Sequence, residues 1–337
     1  DTKILEGVAS FGTMGGVIER ESHLFPNFGS DPVYLNPRAR LVDVDNDGIA
    51  DNWERAHGLN PANGGDWKNL HGSGYTQLEM YVNELGGDGI DVASTGGTWT
   101  NASAWSGGVP TLADDATTTG SVSLSGGHGF ARRLHVGGAL SIGGGTLDVF
   151  DTMSVNGSVT TSGEITAGRV LVAEPAQTSS LSVGVGGTVQ TGTVAASGGT
   201  ATRRIDGGTY RATGAMDISV ATTLGPAGGT VDTTSFSGQI SGALSGAGGL
   251  TKRGAGSLTL SGARSYSGPT VIEQGALLVQ GGNLNQTSGV ELAAGTTLDL
   301  SAASGNLTLA AGKSLGGSGT VVGNVVAGSG SVVRPEG

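Results

Sequence analysis

From residue 116 onward the chain alternates apolar and small polar positions in short bursts: SVSLSGG, GTLDVFD, SLSVGVGG, GSLTLSG, ALLVQGG, TTLDLSA and NLTLAAG. Period-two alternation puts Val122 with Leu124, Leu147 with Val149, Leu258 with Leu260, and Leu307 with Leu309 on one face of a strand each. Ser, Thr and Gly occupy the opposite face. Glycine-rich turns interrupt these strands too often for the long staves of a large barrel, and no helical periodicity separates them. A parallel β-solenoid accounts for the pattern: each coil lays short strands on its neighbours, small residues take the tight corners, and a thin core of stacked Val, Leu and Ile runs lengthwise. At roughly 20 residues per coil, the stretch makes on the order of ten rungs. An antiparallel sandwich is the alternative architecture.

Composition reinforces this reading and divides the chain. There are 65 glycines in 337 residues, no cysteine, 4% aromatic and 13% charged residues, the last well below the roughly 25% of an ordinary soluble domain. Glycine without a triplet period excludes collagen, and the many Val and Leu exclude simple disorder. The absence of cysteine removes disulfides as a source of stability. Residues 1–115 hold 17 acids and 6 bases, whereas residues 116–337 hold 11 of each, so the whole net charge of −11 belongs to the first third. All four tryptophans lie there too, and that third is expected to build a compact core of its own. Basic residues cluster only in pairs such as Arg132-Arg133 and Arg203-Arg204, which gives no footprint for nucleic acid. No apolar run spans a bilayer, and Asp1 does not open a signal peptide, so the chain reads as a processed or excised piece.

The acidic third carries the sharpest chemistry. Residues 43–54, DVDNDGIADNWE, fill every position of a twelve-residue EF-hand-type loop. Asp43, Asp45 and Asp47 stand at positions 1, 3 and 5, Gly48 at the sharp turn, Ile49 at the backbone-carbonyl position 7, Asp51 at 9 and Glu54 at 12. Five acids in one turn repel each other until a hard dication gathers their oxygens, so calcium is the expected cofactor. A second, weaker loop has Asn69, His71 and Ser73 at positions 1, 3 and 5, Tyr75 at 7 and Glu79 one residue ahead of position 12. Its neutral ligands weaken calcium binding. The segment GGDGIDVAS at 86–94 holds one copy of a nonapeptide calcium-binding pattern and reads as a linker.

Two resemblances extend these readings. Residues 249–279, GLTKRGAGSLTLSGARSYSGPTVIEQGALLV, resemble the autotransporter-associated β-strand repeat of secreted bacterial passenger domains. Lys252, Gly254, Gly256, Leu258, Leu260, Gly262, Tyr266, Gly268, Thr270, Gly275 and Leu277 match its pattern, while Arg264 replaces the usual Asn. This resemblance implies an extracellular or cell-surface, right-handed β-helix of bacterial origin, with no catalytic residues to carry over. The front segment, DVDNDGIADNWERAHGLNPANGGDWKNLHGSGYTQLEMYVNEL, is similar to the calcium-binding tail that follows pectate-lyase-like β-helix domains. That similarity implies the downstream portion of a longer polysaccharide-lyase-like precursor.

The expected plan is mostly β: an extended strand-like arm at 1–40, a small helical, EF-hand-like calcium-binding segment at 41–92, a linker or capping stretch at 93–115, and a right-handed parallel β-solenoid at 116–337. Trp99 and Trp105, in GTWTNASAWSGGVP, are candidates either for sugar platforms or for covering the first rung. Five histidines, His23, His57, His71, His128 and His135, show no metal-pair spacing, although His128 and His135 are candidates for one groove. The acids of the solenoid stand singly rather than paired for glycosidic chemistry. A non-enzymatic, calcium-stabilised structural or adhesive role is therefore expected. Its partners would be neighbouring copies joined head to tail through the arm into filaments, or surface and matrix polysaccharide. The alternative is a non-catalytic accessory or carbohydrate-binding segment of a larger lyase-like secreted enzyme.

Overall fold

A computed structural model describes residues 43–56, 59–69, 76–78, 81, 91–112, 114–173, 175–196 and 198–336. The expected arm at 1–40 lies outside these residues. From Asp91–Thr98 to Val332–Pro335 the chain winds into a parallel β-solenoid of about 12 turns, and every ladder among the described residues is parallel. The alternation seen in the sequence sets the facing. Ser257–Leu260 buries Leu258 and Leu260, Ala276–Val279 buries Leu277 and Val279, and both strands show their other residues to the outside.

Successive turns stack in register, so buried side chains form columns along the coil. One column runs Val122, Leu140, Val159, Leu181, Arg203, Thr222 and Leu244. A second runs Gly129, Leu147, Ile165, Val189, Tyr210, Val231, Lys252, Ile272 and Leu292. These columns supply the thin apolar core that the glycine-rich composition anticipates.

The first turn begins earlier than the alternation suggests. Asp91–Thr98 pairs in parallel with Asp115–Leu124, with a register shift between Ser94 and Gly96, so residues 93–98 already form a strand of the coil. Trp99 and Trp105 are 0% and 5% exposed and meet edge to face at 4.9 Å. The indole Nε1 of Trp105 donates to the Trp99 carbonyl at 2.8 Å. Trp99 also lies so close to Gly129 that a Cβ there would stand 2.7 Å from its Nε1. The sugar-platform expectation for these two rings is thereby corrected, since stacking on a sugar needs an exposed face.

Ahead of the coil, within the same compact unit, lies the acidic loop followed by the six-residue helix Asp51–Ala56 and a single 3-10 turn, Asp66–Lys68. Ile49, Ala50, Trp53 and Tyr81 bury together with Leu112 of the first turn, and Phe130 and Phe150 on the outer face of the coil pack against the same group. The loop segment is therefore docked sideways on the solenoid through apolar contacts. Among the described residues no helix is long and apolar enough to cross a membrane.

Candidate metal centre

The loop turns where its sequence places the turn. Asn46 and Gly48 take positive φ values of 56° and 94°, which reverses the chain and aims successive backbone N–H groups at Asp43. The carboxylate of Asp43 accepts from the Asp47 N–H at 3.3 Å and from the Gly48 N–H at 3.2 Å. Asp47 Oδ1 accepts from the Ile49 N–H at 2.9 Å, leaving its other oxygen free to face inward. Gly64 closes over the loop from the following segment, near enough that a Cβ there would stand 3.1 Å from the Asp45 carbonyl oxygen.

Two overlapping sets of carboxylates result. Asp43, Asp45 and Asp47 bring one oxygen each within 4.8 Å of one another, and so do Asp47, Glu54 and Asp66. Glu54 is 0% exposed and Asp66 4%. Six buried oxygens here lack a hydrogen-bond partner: both of Asp45, both of Glu54, Asp47 Oδ2 and Asp66 Oδ1. Burial, then the charges of Asp45, Asp47, Asp66 and Asp51, push the Glu54 carboxyl up to about 7. Asp45 is raised as well, by desolvation first and by Asp47 next. Unpaired acceptors with raised affinity for a positive charge are what a hard, oxygen-seeking dication neutralises. The donor set fits calcium, which takes six to eight oxygens at about 2.3–2.6 Å.

Of the residues expected from the loop, Asp43, Asp45, Asp47 and Glu54 come together. Asp51 does not join them: its Oδ1 accepts from the Val44 N–H at 2.7 Å and its Oδ2 pairs with Arg55 at 2.9 Å, tying the start of the loop to the helix. Ile49 buries its side chain beside Trp53. Asp66 is the residue that spacing missed, because it reaches the site through the fold of the 59–66 segment, where its Oδ2 also accepts from the Asn60 N–H at 3.2 Å. The only sequence signal for it is an acid standing just ahead of the second loop. Of that second loop, Asn69 ends the 3-10 turn and its carbonyl accepts from the Gln77 N–H at 3.0 Å. His71, Ser73, Tyr75 and Glu79 lie outside the described residues.

The two solenoid histidines are separated. His135 lines a shallow groove of about 570 Å³ with Asp91, Asp115, Arg133, Asp151 and Arg169, whereas His128 stacks on Phe130 with centroids 6.2 Å apart. Within the groove Arg133 bridges Asp115 at 3.5 Å and Asp151 at 3.3 Å, so its charges are largely paired across turns.

Residues 250–279 match the Passenger-associated-transport-repeat family. The match covers two stacked pairs of strands, Leu250–Arg253 under Thr270–Ile272 and Ser257–Leu260 under Ala276–Val279. A passenger repeat suggests secretion or a surface location. The chain is also 40% identical over 85 residues to a probable pectate lyase C of Aspergillus fumigatus, and 39% and 38% identical over the same length to probable pectate lyases C of Neosartorya fischeri and Aspergillus terreus. Those 85 residues are 25% of this chain and 19% of each relative, so the chain spans about one fifth of their length. No solved structure matches the chain.

Proposed function

We propose that this chain is an extracellular structural or adhesive β-solenoid in which calcium pins the 43–69 segment against the first turns of the coil. The observation that carries the reading is the set of six buried, unpartnered carboxylate oxygens on Asp45, Asp47, Glu54 and Asp66, held beside an apolar contact with Leu112, Phe130 and Phe150. Without an ion, this concentration of negative charge opposes the docking that the apolar contact favours. With it, the segment and the coil become one rigid piece. The role is non-catalytic, and the coil presents its surfaces to neighbouring copies or to matrix polysaccharide.

Binding to the folded state alone stabilises by mass action, about 2.7 kcal/mol at a hundred-fold excess over Kd. The melting temperature of the chain is therefore expected to rise with calcium and fall with chelator. Glu54→Gln and Asp66→Asn are expected to lose most of that shift. Melting curves that coincide in calcium and chelator would sink the proposal, and an Asp66→Asn variant with the full parental response would remove Asp66 from the ligand set.

A second reading, a non-catalytic accessory segment of a larger polysaccharide-lyase-like secreted enzyme, is supported by the similarity to probable pectate lyases. Retention of the chain on an immobilised acidic polysaccharide, with no self-association in solution, favours that reading over the structural one.

A further inference from the structure

The column Val122, Leu140, Val159, Leu181, Arg203, Thr222, Leu244 carries one arginine, between Leu181 and Thr222, in an otherwise mostly apolar stack. Strand Thr200–Ile205 faces Arg203 and Ile205 inward and Arg204 outward, so one member of the arginine pair is driven into the lumen by alternation alone. Arg203 is 2% exposed, and its Nε and both terminal nitrogens have no hydrogen-bond partner. Its guanidinium carbon lies 3.8 Å from the centroid of the Tyr210 ring on the same turn. That stacked contact leaves every N–H in the guanidinium plane unused, and the buried Tyr210 hydroxyl is also unpartnered. One turn away, the inward-facing Ser179 Oγ is buried and unpartnered too.

The described acids nearby are committed elsewhere. Asp206 is held by Arg204 at 2.7 Å and by the Ala227 N–H at 2.9 Å. Asp232 pairs with Arg211 at 3.2 Å and accepts from the Thr234 N–H, and Asp217 faces outward. Burial lowers the pKa of Arg203, yet a guanidinium stays protonated in proteins, so the charge itself must be met. Cation–π contact with one ring does not replace the hydration that the group has lost. A water would fill donors without neutralising charge. In the column Arg203 has Leu181 on one side and the short Thr222 on the other, so only something small could sit beside it.

We propose that the lumen of the solenoid at the Arg203 turn binds one small monovalent anion of the halide class, held by the guanidinium with the Tyr210 and Ser179 hydroxyls as further donors. The ion would be enclosed as the coil closes and would serve the fold as an internal counter-charge, independent of the metal centre at the front.

The test refolds the full chain at constant calcium and ionic strength in chloride, bromide, or methanesulfonate, which is monovalent but bulky. Halide is expected to raise the melting temperature by about 3 °C over methanesulfonate. Crystals grown in bromide are expected to show an anomalous peak in the plane of the Arg203 guanidinium. Arg203→Met is expected to remove both the halide dependence and the peak; if that variant does not fold, Ser179→Ala should weaken the dependence, and the bromide crystal of the parent decides. A parent that melts identically in all three salts and shows no peak overturns the proposal. A peak without any halide dependence of melting marks an adventitious ion only and overturns it equally.

Discussion

Tyr266 shows what single residues contribute inside the coil. Its buried hydroxyl shares a hydrogen bond of 2.7 Å with Thr270 Oγ1, which donates to Thr287 Oγ1 at 3.3 Å, and the single Thr287 hydroxyl proton is shared between the Gly268 and Gly289 carbonyls at 2.6 and 2.9 Å. Lys252, equally buried, places its ammonium on the carbonyls of Arg253, Gly254 and Gln274 at 2.8, 2.8 and 3.1 Å. The tyrosine, threonine and lysine of the repeat are thus internal fasteners for backbone at corners. Burial pushes the Tyr266 phenol up from 10.0 to about 12, against the smaller opposing effects of Thr270 and Arg264. A phenol whose pKa is raised in the folded state contributes stability that is complete below pH 10.0 and lost as pH rises through about 12. Urea melts of the parent are therefore expected to lose more stability across that interval than those of Tyr266→Phe, and equal alkaline slopes would refute the assignment. At this scale the sequence was a fair guide where spacing is local, as for Asp43, Asp45, Asp47 and Glu54. It was blind where tertiary structure decides: Asp66 arrives through a folded connection and Asp51 is diverted to Val44 and Arg55, while for Trp99 and Trp105 it left two roles open and their burial removes the sugar platform.

At the level of elements, the glycines explain how turns stack so tightly. Gly120, Gly138 and Gly157 occupy one corner on successive turns. A Cβ on Gly120 would stand 1.8 Å from the Thr95 carbonyl oxygen, one on Gly138 2.2 Å from that of Gly120, and one on Gly157 1.9 Å from that of Gly138. The obstacle is backbone in each case, so no side chain can yield. Gly138→Ala is expected to destabilise the chain by about 3 kcal/mol, because a wedge at that corner must force adjacent turns away from each other. Gly126, whose added Cβ meets nothing within 4 Å, is the control, and Gly126→Ala should stay within about 0.5 kcal/mol of the parent. Denaturant melts of the two variants decide it; similar values would mean that the corner relaxes freely. The strands from Asp115 onward were legible because alternation is a property of neighbours two apart. The first strand was not, since DVASTGGT buries only Val92 and Ser94 and offers little apolar contrast to read.

At the scale of the whole molecule, the last described turns of the coil differ from the rest. Val333 continues the buried column of Val290 and Leu315, yet it is 50% exposed, and Val322, Val326 and Val332 are 42%, 43% and 38% exposed. Among the described residues no further strand pairs with Val325–Ala327 or Val332–Pro335 beyond Leu307–Leu309 and Ser314–Gly317. A strand edge left open beside half-exposed valines would invite another strand to add, burying apolar surface while satisfying its N–H and C=O groups. Opposing this, the net charge of −11 lies in the first 115 residues, and like charges near an interface resist association until ions screen them. Calcium, if it binds as proposed, would act on the same balance by neutralising the cluster around Glu54. The 337-residue chain is therefore expected to self-associate with rising concentration, more so in calcium and at moderate salt. Contacts between unlike ends do not close on themselves, so the products should be linear. Placing charge on the edge, as in Val326→Lys with Val333→Lys, is expected to hold the chain monomeric without lowering its melting temperature by more than about 2 °C, as befits exposed positions. Light scattering and electron microscopy of parent, double variant and a form lacking residues 1–20 separate the contributors. Association that survives both lysines but disappears with the deletion of residues 1–20 assigns it to the front of the chain alone, and a parent that stays monomeric in calcium at high concentration removes filament formation from the functional reading.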